Sequence, residues 1–438
     1  MDLTSLSLMS KSLFICVMVF LVLGTGMWIS LGLALTGLLV LIFLAGGMQG
    51  ITASILYQSV DTFVLSAIPL FIFLAAFVMN SGLSNDMYKG ISHWTSVLPG
   101  GLLQSNIMAS AIFSAVCGSS SATSATIGTV AYKDQVERKY NSSLVVGSIA
   151  AGGTLGILIP PSTIMIIYGD FVGISVGRLF SAGIIPGIII ASLFMIYIMF
   201  YAMIRGVGPL RERLSWGYFR RVWLGFKLVW PILTIIGTIM GGIYSGLMTP
   251  TEAAAFSSFI AIIIAIAQKK FSFDLLWKSA ITALRTACMI LFITVGASFL
   301  GQGVSMIKLP SELSVWLVGL GMPKMSIWVG MILFYFVLGC LMEGVSMMLL
   351  TLPVTYPILV TSLGFDGVWF GIMLTILIEI AGVTPPVGLN LFILQGVTGL
   401  GIGEVSVASF PFFIIMLLAL ILFTIFPGIV TFIPNLIF

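Results

Sequence analysis

Charge is scarce in this chain. Of its 438 residues only 7% are Asp, Glu, Lys or Arg, against 59% that are hydrophobic, whereas a soluble domain carries about 25% charged residues. So few charges cannot cover a water-facing surface, which excludes a soluble globular protein. Histidine occurs once and cysteine four times. Cys16, Cys117, Cys288 and Cys340 all lie in apolar stretches without metal-ligand spacing, so they read as small packing residues. His93 sits in Ser92-His93-Trp94 at an expected membrane interface and offers no basis for a histidine proton relay. There is no His-Glu-x-x-His, no pair of intramembrane aspartates and no Gly-x-Ser-x-Gly beside a histidine base, so no enzyme is expected. The net charge of +4 comes with no soluble domain and no long basic tail, which argues against a nucleic-acid partner.

What fills the chain is apolar runs near the length that crosses a ~30 Å hydrocarbon core as a helix. Helices pair their own backbone groups in lipid, and the runs are continuous rather than alternating, unlike barrel strands. Lys11 and Ser12–Leu23 resemble the start of a signal peptide. The apolar character continues to Ala45 without a clear cleavage site, so cleavage is not expected.

The expected crossings are Ser12–Thr25, Trp28–Ala45, Phe63–Val78, Leu144–Tyr168, Leu179–Ile204, Val229–Tyr244, Ala253–Ala267, Ala280–Leu300, Phe370–Leu394 and Phe410–Phe432. Two re-entrant pairs fill Gly101–Val116 with Ala122–Tyr132 and Ile327–Leu341 with Val345–Val360. Arg205, Arg211, Arg213, Arg220, Arg221 and Lys227 mark a cytoplasmic loop or an amphipathic surface helix, and both readings are compatible. Lys133, Arg138, Lys139, Lys269 and Lys270 fall on the same side if each pair enters and leaves by one face. After Lys324 there is no Lys or Arg, so the last part is oriented only by counting spans. The count puts both termini outside the cytoplasm.

The halves of the chain share three landmarks at one offset. Cys117-Gly-Ser-Ser-Ser-Ala-Thr-Ser-Ala-Thr pairs with Cys340-Leu-Met-Glu-Gly-Val-Ser. Pro160-Pro161 pairs with Pro385-Pro386, and Leu98-Pro99-Gly100 with Gly321-Met322-Pro323. Cys117 precedes Pro160 by 43 residues and Cys340 precedes Pro385 by 45. Five crossings between the two hairpins make the halves inverted. Inverted repeats with broken helices point to a transporter site near the membrane midplane. The expected organisation is an N-terminal scaffold at 1–60 and a first repeat at 61–204 with its hairpin at about 101–132. A basic loop with linking scaffold helices follows at 205–282, then a second repeat at 283–438 with its hairpin at about 327–360.

The broken places have the right chemistry for ions. Gly118-Ser119-Ser120-Ser121 disfavours continuous helix. A helix that stops exposes carbonyls at one end and N–H groups at the next start. Carbonyls with Ser and Thr hydroxyls can coordinate Na⁺, and helix N-termini favour a carboxylate. Proline frees carbonyls in the same way in Gly152-Gly153-Thr154-Leu155-Gly156-Ile157-Leu158-Ile159-Pro160-Pro161-Ser162 and in Gly382-Val383-Thr384-Pro385-Pro386-Val387-Gly388-Leu389-Asn390. Close helix packing explains one such cluster well, but four at matched positions fit it poorly. Two acids stand inside apolar sequence, where charge is expensive. Glu343 lies at the second hairpin tip, facing a substrate cavity or a cation, or else serving as a structural hydrogen-bond partner or sitting on a tip exposed to water. Glu379 precedes the second unwound segment and reads as its brace.

These residues resemble the large membrane subunit of tripartite ATP-independent periplasmic transporters, the DctM-like family. The resemblance rests on Gly118-Ser-Ser-Ser-Ala-Thr-Ser-Ala-Thr, Gly152-Gly-Thr-Leu-Gly-Ile-Leu-Ile-Pro-Pro-Ser and Thr384-Pro-Pro-Val-Gly-Leu-Asn-Leu-Phe. Ala67-Ile-Pro-Leu-Phe and Thr249-Pro-Thr-Glu-Ala-Ala-Ala add to it, and together they span nearly the whole chain. It implies an all-α polytopic protein of the bacterial inner membrane, with inverted repeats, two re-entrant hairpins, two discontinuous helices and an elevator mechanism. It also implies Na⁺ as coupling ion and import of a carboxylate substrate such as a C4-dicarboxylate, a sialic acid or another sugar acid. The implied partners are a small four-helix DctQ-like membrane subunit and a DctP-like periplasmic binding protein. Carried over by motif, the Na⁺ sites fall on Ser119, Ser120 and Ser121 with Gly153, Gly156 and Pro160. A second set falls on Gly339 and Gly344 with Gly382, Thr384 and Pro386. Substrate contacts are expected at Ser121, Thr123, Ser124, Ser162, Glu343 and Asn390. The alternatives are a self-sufficient Na⁺/dicarboxylate symporter of related fold, and a channel.

Overall fold

The computed structural model describes residues 7–46, 49–206, 216–385 and 388–438. Among these the chain forms twenty α-helices and no strand. The first part comprises α1 (Leu8–Gly24), α2 (Ile29–Phe43), α3 (Thr52–Gln58), α4 (Ala67–Asn80) and α5 (Leu83–Thr95). Next come α6 (Leu102–Cys117), α7 (Ser120–Glu137), α8 (Ser142–Gly153), α9 (Thr163–Val172) and α10 (Val176–Arg205). Then follow α11 (Trp216–Tyr244), α12 (Pro250–Ala267), α13 (Phe273–Met306) and α14 (Leu309–Gly319). The second set of broken elements is α15 (Lys324–Gly339), α16 (Gly344–Tyr356), α17 (Gly367–Gly382) and α18 (Leu389–Thr398), before α19 (Ile402–Ile425) and α20 (Gly428–Ile437).

Six of these segments are long and apolar enough to cross a membrane: α10, α11, α12, α13, α19 and α16 extended to Ser362. The pair Val64–Asn80 and Leu83–Thr95, bent by 69°, would be a seventh span. The other apolar helices are shorter, α1 and α2 among them, and several are pieces of expected crossings that the chain breaks. Leu144–Tyr168, expected as one crossing, is α8 and α9 separated at Thr154–Ser162, and Phe370–Leu394 is α17 and α18.

Several boundaries differ from the sequence expectation. The arm Ala122–Tyr132 belongs to a longer helix that reaches Glu137. The span expected at Phe410–Phe432 starts at Ile402 and stops at Ile425, ahead of Pro427. Helix α11 starts at Trp216, so Arg220, Arg221 and Lys227 lie on a helix. Arg211 and Arg213 lie outside the described residues. Helix α5, Leu-Ser-Asn-Asp-Met-Tyr-Lys-Gly-Ile-Ser-His-Trp-Thr, is amphipathic and too polar to be noticed as an apolar run.

Local chemistry sets the ends. Thr249 caps α12 through a reciprocal bond with Glu252, with Pro250 at the first helical position, where its missing N–H costs nothing. Helix α6 ends at Gly118 with φ +62°; a Cβ there would also lie 2.8 Å from the Pro161 carbonyl oxygen. Ser119, Ser162 and Glu343 accept bonds from the first turns of α7, α9 and α16, satisfying N–H groups that would otherwise be orphaned.

Helices α6 and α7 form a hairpin closed at its base by a buried polar network. Asn106 Nδ2 donates to Ser148 Oγ at 2.8 Å and Gln135 Nε2 donates to Tyr88 Oη at 2.6 Å. Tyr88 Oη donates to Asn106 Oδ1 at 2.8 Å, and Gln135 Nε2 also reaches the Leu102 carbonyl at 3.2 Å. The network ties α5, α6, α7 and α8 together. The second hairpin, α15 and α16, is joined by Tyr335 Oη at 2.8 Å from Thr351 Oγ1 and 3.1 Å from Thr355 Oγ1. Around the broken elements, α2 packs on α13, α12 on α4, and α11 on α5. The helices near the start of the chain therefore clasp the long helices of its middle.

Candidate functional site

Both hairpin tips and both helix breaks meet at one place. A cavity of about 320 Å³ is lined by Ser119, Ser120 and Ser121 from the first tip and by Gly339, Met342, Glu343 and Gly344 from the second. The breaks contribute Ile157 and Thr163 from one side and Glu379, Gly382 and Asn390 from the other. Helix α13 closes the cavity with Thr286, Met289, Ile290 and Ile293. An adjoining cavity of about 330 Å³ shares Ser119, Ser121, Thr163 and Thr286 and extends past Thr282.

The first tip is fixed in place by hydrogen bonds. The Gly118 carbonyl accepts from the Thr163 amide at 3.3 Å and from Thr163 Oγ1 at 2.9 Å. The Ser120 hydroxyl donates to Glu379 Oε1. The Ile157 amide donates to that same oxygen at 3.3 Å. One carboxylate, 1% exposed, thus joins the first tip, the first unwound segment and α17, which lies more than 200 residues further on. A buried carboxylate is tolerable only when hydrogen-bonded, and these two donors come from the other half of the chain. Beneath the tip, Gly156 leaves no room for a side chain: a Cβ would lie 2.5 Å from Ser120 Cα and 2.7 Å from the Ser119 carbonyl carbon.

The second tip rests on α17 through small residues, Gly339 against Ala381 and Gly344 against Ile378. Cys340 Sγ donates to the Pro385 carbonyl at 3.5 Å. Glu343 Oε2 accepts from the Ser346 amide at 3.2 Å and from its hydroxyl at 3.3 Å.

Of the residues singled out from sequence, Ser119, Ser120, Ser121, Gly339, Glu343, Gly344, Gly382 and Asn390 line the main cavity. The others do not. Thr123 is buried and donates to the Ser119 carbonyl at 2.9 Å. Ser124 is buried behind the tip, where Gly153 packs on it. Ser162 caps α9 from a fully buried position, and Pro160 lies in the buried first break. Thr384 Oγ1 donates to the Ile380 carbonyl at 2.6 Å. Pro386 lies outside the described residues.

Sequence reasoning missed the wall formed by α13. Thr282 and Thr286, four residues apart on an apolar helix, were the available signal, because such spacing puts both on one face. Among the described residues no group of three or more His, Cys, Asp or Glu is arranged to hold a metal.

The family described as the DctM component of tripartite ATP-independent periplasmic transporters matches residues 14–429. The isethionate TRAP transporter permease protein DctMQ of Oleidesulfovibrio alaskensis is 33% identical over 413 residues, covering 94% of this chain. The chain spans only 64% of that relative's length. The C4-dicarboxylate TRAP transporter large permease protein DctM of Pseudomonas aeruginosa is 32% identical over 415 residues, covering 93% of this chain and 94% of the relative. Among solved structures, the Alcanivorax borkumensis YdaH transporter, described as having an unusual topology, superposes with a TM-score of 0.58. It shares 13% identity and the match covers 86% of this chain and 87% of that one, a likeness of fold alone.

Proposed function

This chain belongs to the DctM family of tripartite ATP-independent periplasmic transporters, and from that premise we propose that it imports an organic acid by Na⁺-coupled elevator transport. It is a multi-pass protein of the bacterial inner membrane. Its relatives are transporter permeases rather than enzymes. The observation that carries the proposal is the convergence of both tips and both breaks on a single cavity closed by α13.

In this reading the cavity receives the substrate, and oxygens around the tips and breaks hold Na⁺. Na⁺ is a hard cation, served by hydroxyl, carbonyl and carboxylate oxygens rather than by His or Cys. Ser120 and Glu379 supply such oxygens at the first tip. The substrate carboxylate lies toward the start of α7, where the macrodipole favours an anion. Residues 61–204 and 283–438 act as inverted repeats whose hairpins are re-entrant, and the hairpins with their broken helices move as one body. Helix α13 and the helices clasped to it form the fixed wall. A small membrane subunit and a periplasmic binding protein complete the transporter.

The test is uptake into proteoliposomes containing this chain, the small subunit and the binding protein. Uptake is expected only with an inward Na⁺ gradient and with all three proteins. Uptake by the chain alone without Na⁺ favours a self-sufficient carrier and overturns the proposal.

A further inference from the structure

The charges around the cavity are one-sided. Glu343 and Glu379 line it, and no Lys, Arg or His does. Helix α13 carries Arg285 nearby, but that residue lines a neighbouring cavity with Met27, Trp28 and Phe292. Asn390 is 2% exposed and lines the cavity, yet its side chain forms no hydrogen bond with the described residues. Its donor and acceptor are therefore available to a ligand in the cavity.

An ordinary dianion suits this site poorly. Glu343 opposes it at close range in a medium of low dielectric, and no guanidinium or ammonium lies in the wall to form a charge-assisted pair. The two Glu residues also differ in what they offer. Glu379 Oε1 is engaged by Ser120 and Ile157. Glu343 sits on the second tip, partly exposed, with Oε2 bonded only within its own helix turn. Its carboxylate thus faces the cavity from across the hydroxyls and amides of the first tip.

We propose that the substrate is amphoteric: an organic acid that also carries a cationic nitrogen, with the nitrogen against Glu343 and the carboxylate toward Ser121 and the start of α7. Asn390 serves a polar group between the two ends. This rests on the transport reading above and narrows its substrate class. Glu343 is then the specificity-determining residue, because it excludes acids that bring no positive charge.

The experiment uses the full chain in lipid nanodiscs with radiolabelled ectoine and glycine betaine as amphoteric probes, and succinate and isethionate as anionic ones, each with and without Na⁺. The wild type is expected to bind an amphoteric probe in a Na⁺-dependent manner and to show no binding of the anions. Glu343→Gln keeps the helix-capping oxygen and the side-chain size while removing the charge. It should weaken amphoteric binding by roughly tenfold or more, as loss of a charged pair implies. Glu343→Arg should abolish that binding and admit succinate.

Na⁺-dependent binding of succinate or isethionate by the wild type, lost in Arg285→Gln, overturns the amphoteric assignment while leaving Na⁺-coupled transport standing. Unchanged amphoteric binding in Glu343→Gln likewise overturns it. If a monodisperse wild type binds none of the four probes with Na⁺, the amphoteric assignment fails, while the transport reading stands or falls on the three-protein uptake assay.

Discussion

The two hairpin tips interrupt helix at matched points of the chain but are held in opposite ways. The first turns within Gly118 and Ser119, with the glycine left-handed, and is secured by polar bonds to Thr163 and Glu379 and by backbone packed onto Gly156. The second turns over Cys340–Glu343 and rests on the side chains of Ala381 and Ile378. Among the described residues, only a weak thiol bond to the Pro385 carbonyl ties it to the facing break. Their bases differ in the same sense, an amide network at the first and a tyrosine–threonine cluster at the second. What the two tips share is the interruption of the backbone; the side chains around it differ. The first tip is a fixed wall of hydroxyls, and the second presents an acid on a surface held by apolar contact.

The largest effect is expected where the first tip has no slack. Gly156→Val places branched carbons into the Ser119–Ser120 backbone, which cannot yield as a flexible side chain can. Overpacking of a well-packed interior costs about 1–3 kcal/mol and occasionally more. Folded yield by size exclusion should fall sharply and uptake should be lost. A monodisperse, active Gly156→Val protein would show that the tip does not sit on this glycine.

Next comes the carboxylate that joins the halves. Glu379→Ala leaves the Ser120 hydroxyl and the Ile157 amide without their acceptor, at a cost of about 1–3 kcal/mol for unsatisfied buried groups. Glu379→Gln keeps one acceptor oxygen and should cost less. Thermal unfolding in detergent should rank wild type, Glu379→Gln and Glu379→Ala in descending order. Equal midpoints for the alanine variant and the wild type would mean that the link between halves carries no stability.

A smaller and more specific effect is expected from Ser120→Ala combined with Thr384→Ala. The pair removes one hydroxyl from each half, at the first tip and at the second break, while leaving the helices capped. The Na⁺ concentration for half-maximal uptake should rise severalfold, a larger change than any in expression. An unaltered Na⁺ response would show that these two residues are not at the ion sites.

Much of this arrangement is legible in sequence, for identifiable reasons. Glycine, serine and proline interrupt a helix through local chemistry, so Gly118–Ser121, Pro160-Pro161 and Gly382–Asn390 announce breaks without any tertiary information. The bond between Ser120 and Glu379 spans 259 residues, and nothing local specifies it. Glu379 could be read as a brace, but its partners could not be named. Helix α5 escaped because an amphipathic helix with Asp86, Lys89 and His93 does not look like a membrane segment, although it packs against α11 and α6. The α13 wall escaped because an apolar helix does not declare which face meets a cavity. Ser124 and Ser162 were drawn into the expected site by proximity in sequence, but helical geometry turns Ser124 away from the tip and Ser162 is consumed in capping α9.

The smallest effect should come from the second break, and it sharpens the contrast most. Gly382→Ala adds a Cβ whose nearest neighbour is Asn390 Nδ2 at 3.3 Å, the end of a side chain rather than backbone. Gly156→Ala, the same substitution in the first half, meets main chain at 2.5–2.7 Å. A side-chain terminus can rotate by a few tenths of an ångström within its rotamer well, whereas the tip backbone is fixed by Glu379 and Thr163. Gly382→Ala should therefore shift the unfolding midpoint little, and it should alter substrate affinity only through the displaced amide. Side-by-side thermal unfolding and uptake of the two alanine variants provide the measurement. Equal damage in both would mean that the second break is packed as rigidly as the first, and the division into a fixed tip and a yielding one would have to be abandoned.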